Sequence, residues 1–119
     1  MSQNVAEDTV EECLNTIEEE KDSETVVVFM QGEIALPQSG YAQHVVESLQ
    51  QILGFEGPYK TVNIIGNLEA YQVAFEKHTG TGDVPQIFVN GEFFVTGDEF
   101  IDLEEDGKLE SRLRAQMDN

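Results

Sequence analysis

Apolar residues near the start of the chain follow two patterns, one typical of a helix and one typical of a buried strand. One face of a helix is predicted by four residues: Val10, Cys13, Leu14 and Ile17. Residues 9–12, TVEE, have the form of a capping box and are expected to begin this helix. After the charged link KDSE, residues 25–30 form an unalternating β-branched run, which predicts a strand buried on both faces.

The next segment combines loop signals with a second helical face. Gly32 and Pro37 mark residues 31–39 as a loop. A helix is then predicted by six apolar residues at helical spacing: Ala42, Val45, Val46, Leu49, Ile52 and Leu53. Gly54 is expected to end this helix as its C′ residue, and residues 60–65 are expected to form a second strand. Strand, helix and strand make a βαβ unit, whose strands should be parallel with a right-handed crossover.

A third helix and a hairpin are predicted in the second half of the chain. Asn67 is expected to cap the helix, and one of its sides is formed by Leu68, Tyr71, Gln72 and Phe75. Asn90 and Gly91 stand between two aromatic and β-branched runs, which is the signature of a type I′ turn. The flanking runs, Gln86–Val89 and Glu92–Thr96, should therefore pair antiparallel.

Two helices are expected to close the chain. A helical pattern opens after Gly97 with Asp98 and Glu99, is broken at Gly107 and resumes to Ala115. The predicted order is α, β, α, β, α, β, β, α, α. With 119 residues, the chain is expected to form one domain over residues 1–119, with residues 1–8 and 116–119 frayed at the ends.

Charge narrows the range of partners. Twenty-four acidic residues against six basic ones give a formal net charge of −18, which repels phosphate backbones and anionic lipid surfaces. Neither a nucleic acid nor a membrane is therefore expected as a partner. The charge is consistent with a solubilising surface or with a field that steers a basic protein partner, and both interpretations stay open.

Two further observations bear on location. The sequence contains no apolar run near the roughly 20 residues of a membrane span. Its first residues show neither the basic and apolar regions of a secretory signal nor the acid-poor character of a transit peptide. A cytoplasmic protein is expected.

The single cysteine, Cys13, limits redox and metal chemistry. One thiol cannot form an internal disulfide or an all-cysteine metal site, and no metal site is predicted. Because Cys13 lies on the apolar stripe of the first helix, it is expected to be a small core residue. A redox role through an intermolecular disulfide would require this side chain to be exposed.

Four segments together carry a resemblance to a known family. VVVFMQG, LPQSGYA, VPQIFVNGEF and the pair Gly97 and Asp98 resemble, in order and spacing, segments of the monothiol glutaredoxins. The usual versions there run VVVFMKG, PQCGFS, PQLYVNGEF and GGCD. The resemblance covers about residues 10–115 and implies a thioredoxin-like (glutaredoxin) α/β fold, with a four-stranded mixed sheet flanked by helices. The family's activity is glutathione-dependent disulfide reduction, with iron–sulfur cluster transfer.

Ser39 stands where the family has its catalytic cysteine. A helix N-terminus stabilises a thiolate, but it does not ionise a hydroxyl without a dedicated base. His44 should point away from Ser39, and PQSG is not the strained elbow of a serine hydrolase, so a serine nucleophile is not expected. Serine is also a favoured N-cap, which explains the residue without any chemistry.

The resemblance implies a glutathione pocket, although with departures. Its implied residues are Gln31, Ser39, Tyr41, Val84, Pro85, Gly97 and Asp98. Pro85 is expected to be cis and to present the Val84 backbone to an extended peptide, while Asp98 would hold the γ-glutamyl end of glutathione or act only as an N-cap. The family's lysine is replaced by Gln31, and the last serine of its motif by Ala42.

The two histidines receive structural interpretations. His44 is expected, together with Glu47, on a solvated helix face. His78 is expected to interact with a helix C-terminus.

Two functions stay open at this point. The first is a redox-inactive binding or regulatory module with weak affinity for glutathione, an unidentified protein partner and a monomeric state. The second is a Cys-to-Ser variant of a working monothiol glutaredoxin, natural or engineered, in redox chemistry or iron–sulfur cluster transfer. As the sequence stands, enzymatic activity is not expected, no cofactor is predicted, and a cluster would require the cysteine to be restored.

Overall fold

The protein folds around a four-stranded mixed sheet in the computed structural model, which describes residues 6–119. In chain order the elements are α1 (Glu7–Glu20), β1 (Val26–Met30), β2 (Gly32–Glu33), β3 (Leu36–Pro37), α2 (Gly40–Leu53), β4 (Tyr59–Asn63), α3 (Leu68–Thr79), β5 (Gln86–Val89), β6 (Glu92–Thr96), α4 (Gly97–Glu105) and α5 (Leu109–Met117). The main sheet has the order β4-β1-β5-β6. The predicted thioredoxin-like fold is confirmed.

Strand β1 pairs with a neighbour on each side. Val28 lies opposite Thr61 in the parallel pair with β4 and opposite Ile87 in the antiparallel pair with β5. The parallel pair is the predicted βαβ unit. All five residues of β1 are fully buried, as the unalternating apolar run indicated.

The predicted hairpin of β5 and β6 is confirmed. Asn90 and Gly91 adopt φ angles of 54° and 80°, as a type I′ turn requires. The Asn90 side chain has a second contact, because its Nδ2 donates to the carbonyl oxygens of Gln116 and Met117 at 2.9 Å each. The turn is thereby tied to the end of α5.

Helices cover both faces of the sheet and create two apolar clusters. On one face α2, α4 and α5 pack on Val26, Val28, Met30, Ile87 and Val89. On the other face α1 and α3 pack on Val27, Phe29 and Phe88. Cys13 belongs to the second cluster with 3% of its surface exposed, which confirms its prediction as a core residue.

Helix α1 begins earlier than its sequence indicated. It starts at Glu7, with Ala6 at the N-cap and no side-chain cap. Thr9 lies inside the first turn, so the predicted capping box is wrong. Residues 1–5 lie outside the described part of the chain, and the fraying of the ends stays a prediction. Glu7 and Asp8 favour this start because acidic side chains stabilise the positive end of the helix dipole.

Helix α3 follows a short 3-10 turn at Ile65–Asn67. Asn67 occupies the N-cap position as expected, but its side chain makes no capping hydrogen bond. His78 lies in the last turn of α3, where its Nε2 is 2.9 Å from Glu18 Oε2 of α1. The strand before the turn, β4, begins at Tyr59 and ends at Asn63, slightly earlier than predicted.

The predicted loop at residues 31–39 contains a small hairpin, β2–β3, that sequence reasoning missed. Gly32 has a φ of 92°, and its backbone N–H donates to Asn63 Oδ1 at 3.0 Å. A β-carbon on Gly32 would lie 2.5 Å from the Leu36 carbonyl oxygen and 2.6 Å from the Gln38 nitrogen. The hairpin therefore requires glycine at this position.

Helix length also bears on membrane insertion. Within residues 6–119, no helix is both long enough and apolar enough to cross a bilayer.

The constraint at Gly32 can be tested by substitution. We expect Gly32→Ala to destabilise the protein by about 1–3 kcal/mol, because it adds a strained φ and a clash with rigid backbone. Gly40→Ala is the matched control, since a β-carbon there would have no atom within 4 Å. Urea unfolding measures the free energy of unfolding of both variants, and Gly32→Ala should be the less stable. Equal stabilities would contradict the requirement for glycine at position 32.

Candidate functional site

Ser39 caps helix α2. It has extended backbone angles, φ −148° and ψ 156°, and its Oγ accepts a hydrogen bond from the Ala42 N–H at 3.0 Å. This is the geometry of an N-cap serine, which confirms the structural interpretation of the residue. The hydroxyl oxygen is thus engaged by the helix backbone.

His44 lies away from Ser39 and pairs with another helix. Its ring is partly exposed, and its Nε2 contacts Glu104 Oε1 of α4. Ser48 Oγ donates to the other oxygen of Glu104 at 2.7 Å. Sequence reasoning placed His44 with Glu47 and missed this contact, since Glu104 is 60 residues away.

The His44, Glu104 and Ser48 contacts do not form a catalytic triad. In a triad the hydroxyl donates to the imidazole, which is oriented by the carboxylate. Here the carboxylate lies in the middle and accepts from the hydroxyl directly. The hydrogen bond from His44, followed by that from Ser48, lowers the pKa of Glu104. The group joins α2 to α4 and has a structural role.

Pro85 and Gly97, two of the residues that the resemblance assigns to the pocket, lie in contact. The Val84–Pro85 peptide bond is cis, as expected, and the Gly97 N–H donates to the Pro85 carbonyl oxygen at 2.9 Å. A β-carbon on Gly97 would lie 2.7 Å from Pro85 Cδ and 3.4 Å from Tyr41 Cβ. Tyr41, Pro85 and Gly97 therefore meet at one point, where only glycine leaves room for the proline ring.

A buried glutamine supports the segment that leads to Pro85. The Gln86 side chain is fully buried, and its Nε2 donates to the carbonyl oxygens of Thr81 and Asp83 at 2.8 and 3.0 Å. Its Oε1 accepts from Thr79 Oγ1 at 3.2 Å. Sequence analysis treated Gln86 only as a strand residue, although an amide inside an otherwise apolar strand was the available signal.

Asp98 is exposed at the start of α4. Its Oδ1 accepts from Thr96 Oγ1 at 2.7 Å and from the Glu99 N–H at 3.1 Å. Thr96 is the N-cap, and its own N–H donates to Glu99 Oε1 at 2.9 Å. The alternative interpretation of Asp98 as the N-cap is therefore wrong, because the N-cap is Thr96, two residues earlier, and the helix begins at Gly97.

Gln31 and Val84 are both half-buried. Gln31 follows the last residue of β1, and its carbonyl oxygen accepts from the Gln38 N–H at 2.9 Å. Val84 precedes the cis bond directly. The position of the family's lysine is thus occupied by a neutral amide.

Metal-binding chemistry does not fit this site. Among residues 6–119, no three histidine, cysteine, aspartate or glutamate side chains are grouped so that they could hold a metal ion. Cys13 packs on the sheet face opposite α2, and burial, followed by the charge of Glu12, raises the pKa of its thiol. An iron–sulfur cluster needs a thiolate, and the pocket offers only the Ser39 hydroxyl.

The helix-to-helix contact at Glu104 predicts a pH-dependent stability. Because its folded pKa is lowered, Glu104 contributes stability above its unfolded pKa of about 4.3, and this contribution is lost as the pH falls through the folded value. We expect Glu104→Gln to cost up to about 1 kcal/mol near pH 6, since the pair is partly exposed.

The difference between Glu104→Gln and the unmodified protein should shrink below about pH 4. Chemical denaturation across this pH range measures it. Glu105→Gln, at the exposed neighbouring position, is the control. A loss that does not change with pH would contradict the assignment.

Comparison with known proteins places these features in context. No family model matches the chain. An uncharacterized monothiol glutaredoxin ycf64-like protein of Synechocystis is 33% identical over 92 residues, which cover 77% of this chain and 82% of the relative. The chloroplastic monothiol glutaredoxin-S7 of rice is 29% identical over 102 residues, which cover 86% of this chain and 58% of the relative. This chain thus spans little more than half of the rice protein.

Solved structures agree with the fold. The crystal structure of a buckwheat glutaredoxin–glutathione complex superimposes with a TM-score of 0.72 and covers 94% of this chain and 96% of the buckwheat chain. Its sequence identity to this chain is 24%, so the likeness is one of fold.

Proposed function

This chain belongs to the monothiol glutaredoxin family, and from that premise we propose that it is a member without thiol chemistry that acts as a binding module. Its pocket retains weak affinity for glutathione, and its activity is recognition rather than disulfide reduction. The observation that carries the proposal is Ser39, a capping hydroxyl at the position of the family's nucleophile.

The chemistry of the hydroxyl supports this proposal. A thiol with a pKa of about 8.5 is brought near neutrality by a helix N-terminus, whereas a serine needs an adjacent base. His44 is engaged with Glu104, and Ser39 Oγ accepts from Ala42. Among residues 6–119, no histidine, aspartate or glutamate side chain is hydrogen-bonded to Ser39 Oγ as a base.

The binding part of the pocket supports retained recognition of a peptide. Tyr41, Pro85 and Gly97 pack together as described, and the Val84 backbone before the cis bond can pair with an extended peptide. Asp98 offers a carboxylate to the amino group of a γ-glutamyl end. Because Gln31 replaces a lysine, a carboxylate of glutathione loses an ionic partner, which is why the proposed affinity is weak.

A role in iron–sulfur cluster transfer is not proposed, since the donor set lacks a thiolate. The alternative of a working oxidoreductase with one altered residue is also less well supported. Restoring a cysteine would correct Ser39 but would leave Gln31 and Ala42 unchanged.

The net charge of the chain determines which partner is proposed. A net charge of −18 opposes self-association and favours a basic protein over nucleic acid or a membrane surface, so a monomer with a protein partner is proposed. The cytoplasmic location stays a prediction, and the rice relative carries a chloroplastic name.

Glutathione binding is directly measurable. In a titration of isotope-labelled protein, we expect NMR shifts of the Ser39, Val84 and Asp98 amides that saturate at millimolar concentration, because the recognition surface is present and a cationic group is missing. Asp98→Asn should weaken binding by about fivefold or more, since it removes the charge that faces the ligand's amine. Glu105→Asn is the control, and an absence of shifts at all three amides would contradict the proposal.

The absence of thiol chemistry gives a second prediction. The unmodified protein should not reduce a glutathione mixed disulfide, and it should purify without colour or iron. Ser39→Cys should create a thiol with a pKa below 8.5 because of the helix N-terminus, and Gln31→Lys added to it should raise its reductase rate further. Thiolate absorbance and a coupled reductase assay measure both.

Reductase activity in the unmodified protein would overturn the proposal. Full family-like activity of Ser39→Cys alone, with no gain from Gln31→Lys, would instead favour the interpretation as a single-residue variant. Ser39→Ala serves as the control for loss of the cap, which should cost about 1 kcal/mol of stability.

A further inference from the structure

A groove outside the glutathione pocket runs between the β2–β3 hairpin and the outer side of β4. It consists of two adjoining cavities of about 500 and 300 Å³, which share Glu33, Ala35 and Asn63 in their walls. Asn63 links the two sides, because its Oδ1 accepts from the N–H groups of Gly32 and Ile65 at 3.0 Å each. Asn63 therefore ties the start of the hairpin to the end of β4.

The edge of the sheet opens into this groove. Strand β4 is the outermost strand and pairs only with β1 in the main sheet. The Pro58 carbonyl accepts from Val26, and the Ile64 N–H donates to Met30. Since successive residues of a strand direct their backbone groups to opposite sides, the backbone groups of residues 58, 60, 62 and 64 face β1.

By the same alternation, the backbone groups of Thr61 and Asn63 face away from the sheet. These are the two β4 residues that line the larger cavity. An edge with free N–H and C=O groups is a template for an additional strand. The groove thus offers backbone hydrogen bonds at the spacing that an extended peptide requires.

Exposed apolar side chains cluster at the rim of the groove. Ile34, Leu36 and Ile65 have 39%, 67% and 46% of their surfaces exposed. They are three of the five large apolar residues exposed within residues 6–119. Leu36 and Ile65 line the smaller cavity, and Ile34 lines the larger one. An extended segment with alternating apolar side chains would cover them.

Charge identifies the kind of segment. Glu33 is the ionisable residue in the walls of both cavities. Lys60 of β4 is already paired, with its Nζ 2.8 Å from Glu20 Oε1. The whole chain carries −18, so a cationic segment is attracted, while a second copy of this chain meets its own charge.

We propose that this groove binds an extended, positively charged segment of a partner protein, which adds a strand to the free edge of β4. This inference rests on the proposed function only in that the chain works by binding. It concerns a different surface from the glutathione pocket, so the two can fail separately.

The test uses a displayed library of random hexapeptides selected on the full chain. Selected peptides are expected to alternate Lys or Arg with apolar residues, and a synthetic copy should shift the Thr61 and Asn63 amides in NMR spectra. Its affinity should fall with added salt, because the attraction is between charges.

Two variants of the groove test the proposal, and one of them has a matched control. Thr61→Pro removes an N–H that faces the groove and takes no part in the β1 ladder, and it should weaken peptide binding about tenfold or more. Glu33→Lys on the exposed hairpin should weaken it about fivefold or more, whereas Glu11→Lys, the same charge change on α1, should change it less than twofold. Far-ultraviolet circular dichroism checks that each variant is folded.

Several outcomes would overturn the proposal. Selected peptides that are neutral or acidic, or equal effects of Glu33→Lys and Glu11→Lys, would do so. Shifts confined to Ser39, Val84 and Asp98 would show that the peptides bind in the glutathione pocket. This result would overturn the groove proposal and leave the proposed function intact. A concentration-dependent dimer whose formation is blocked by Thr61→Pro would make a second copy of the chain the occupant of the groove.

Discussion

Complete burial of strand β1 is the constraint on which the rest of the structure depends. Its five residues pair with β4 on one side and β5 on the other, and their side chains supply both apolar clusters. Helices cover both faces of this strand. Helix α2 packs on one face of β1 and the β5–β6 hairpin pairs with its edge, so β1 fixes the position of both. Gln31 and the β2–β3 hairpin follow the last residue of β1. They therefore lie at the same end of the sheet as Ser39 and Pro85. The pocket and the edge groove are consequences of this arrangement.

Local signals predicted most of this fold, and long-range contacts account for what they missed. Helix α2 and the turn at Asn90 were predictable because helical periodicity and a type I′ dipeptide are properties of a few adjacent residues. The β2–β3 hairpin was not, since its two-residue strands depend on Asn63, which lies 31 residues from Gly32. The contact of His44 with Glu104 was hidden for the same reason. In the site, Ser39 as an N-cap and the cis bond before Pro85 were predicted, whereas the support from Gln86 was not.

A serine in place of a cysteine, as the resemblance implies for Ser39, has opposite effects on fold and chemistry. A hydroxyl is a better acceptor for the Ala42 N–H than a thiol, so the start of α2 is well satisfied by Ser39. The same helix N-terminus that would activate a sulfur simply binds an oxygen as a cap. The N-cap at residue 39 therefore stabilises the helix without any reactive group. Stability and activity often make such separate demands on one active-site residue.

Asn90 illustrates how one side chain can satisfy two unrelated demands. Its backbone must tolerate a φ of 54°, which glycine and aspartate also tolerate, and its amide must donate to the last carbonyls of α5. Glycine has no side chain to donate with, and aspartate would bring a negative charge to oxygens that already carry the negative end of a helix dipole. Among the residues suited to this turn, asparagine alone meets both conditions. The choice between otherwise interchangeable turn dipeptides is thus set by a helix that ends 27 residues later in the chain.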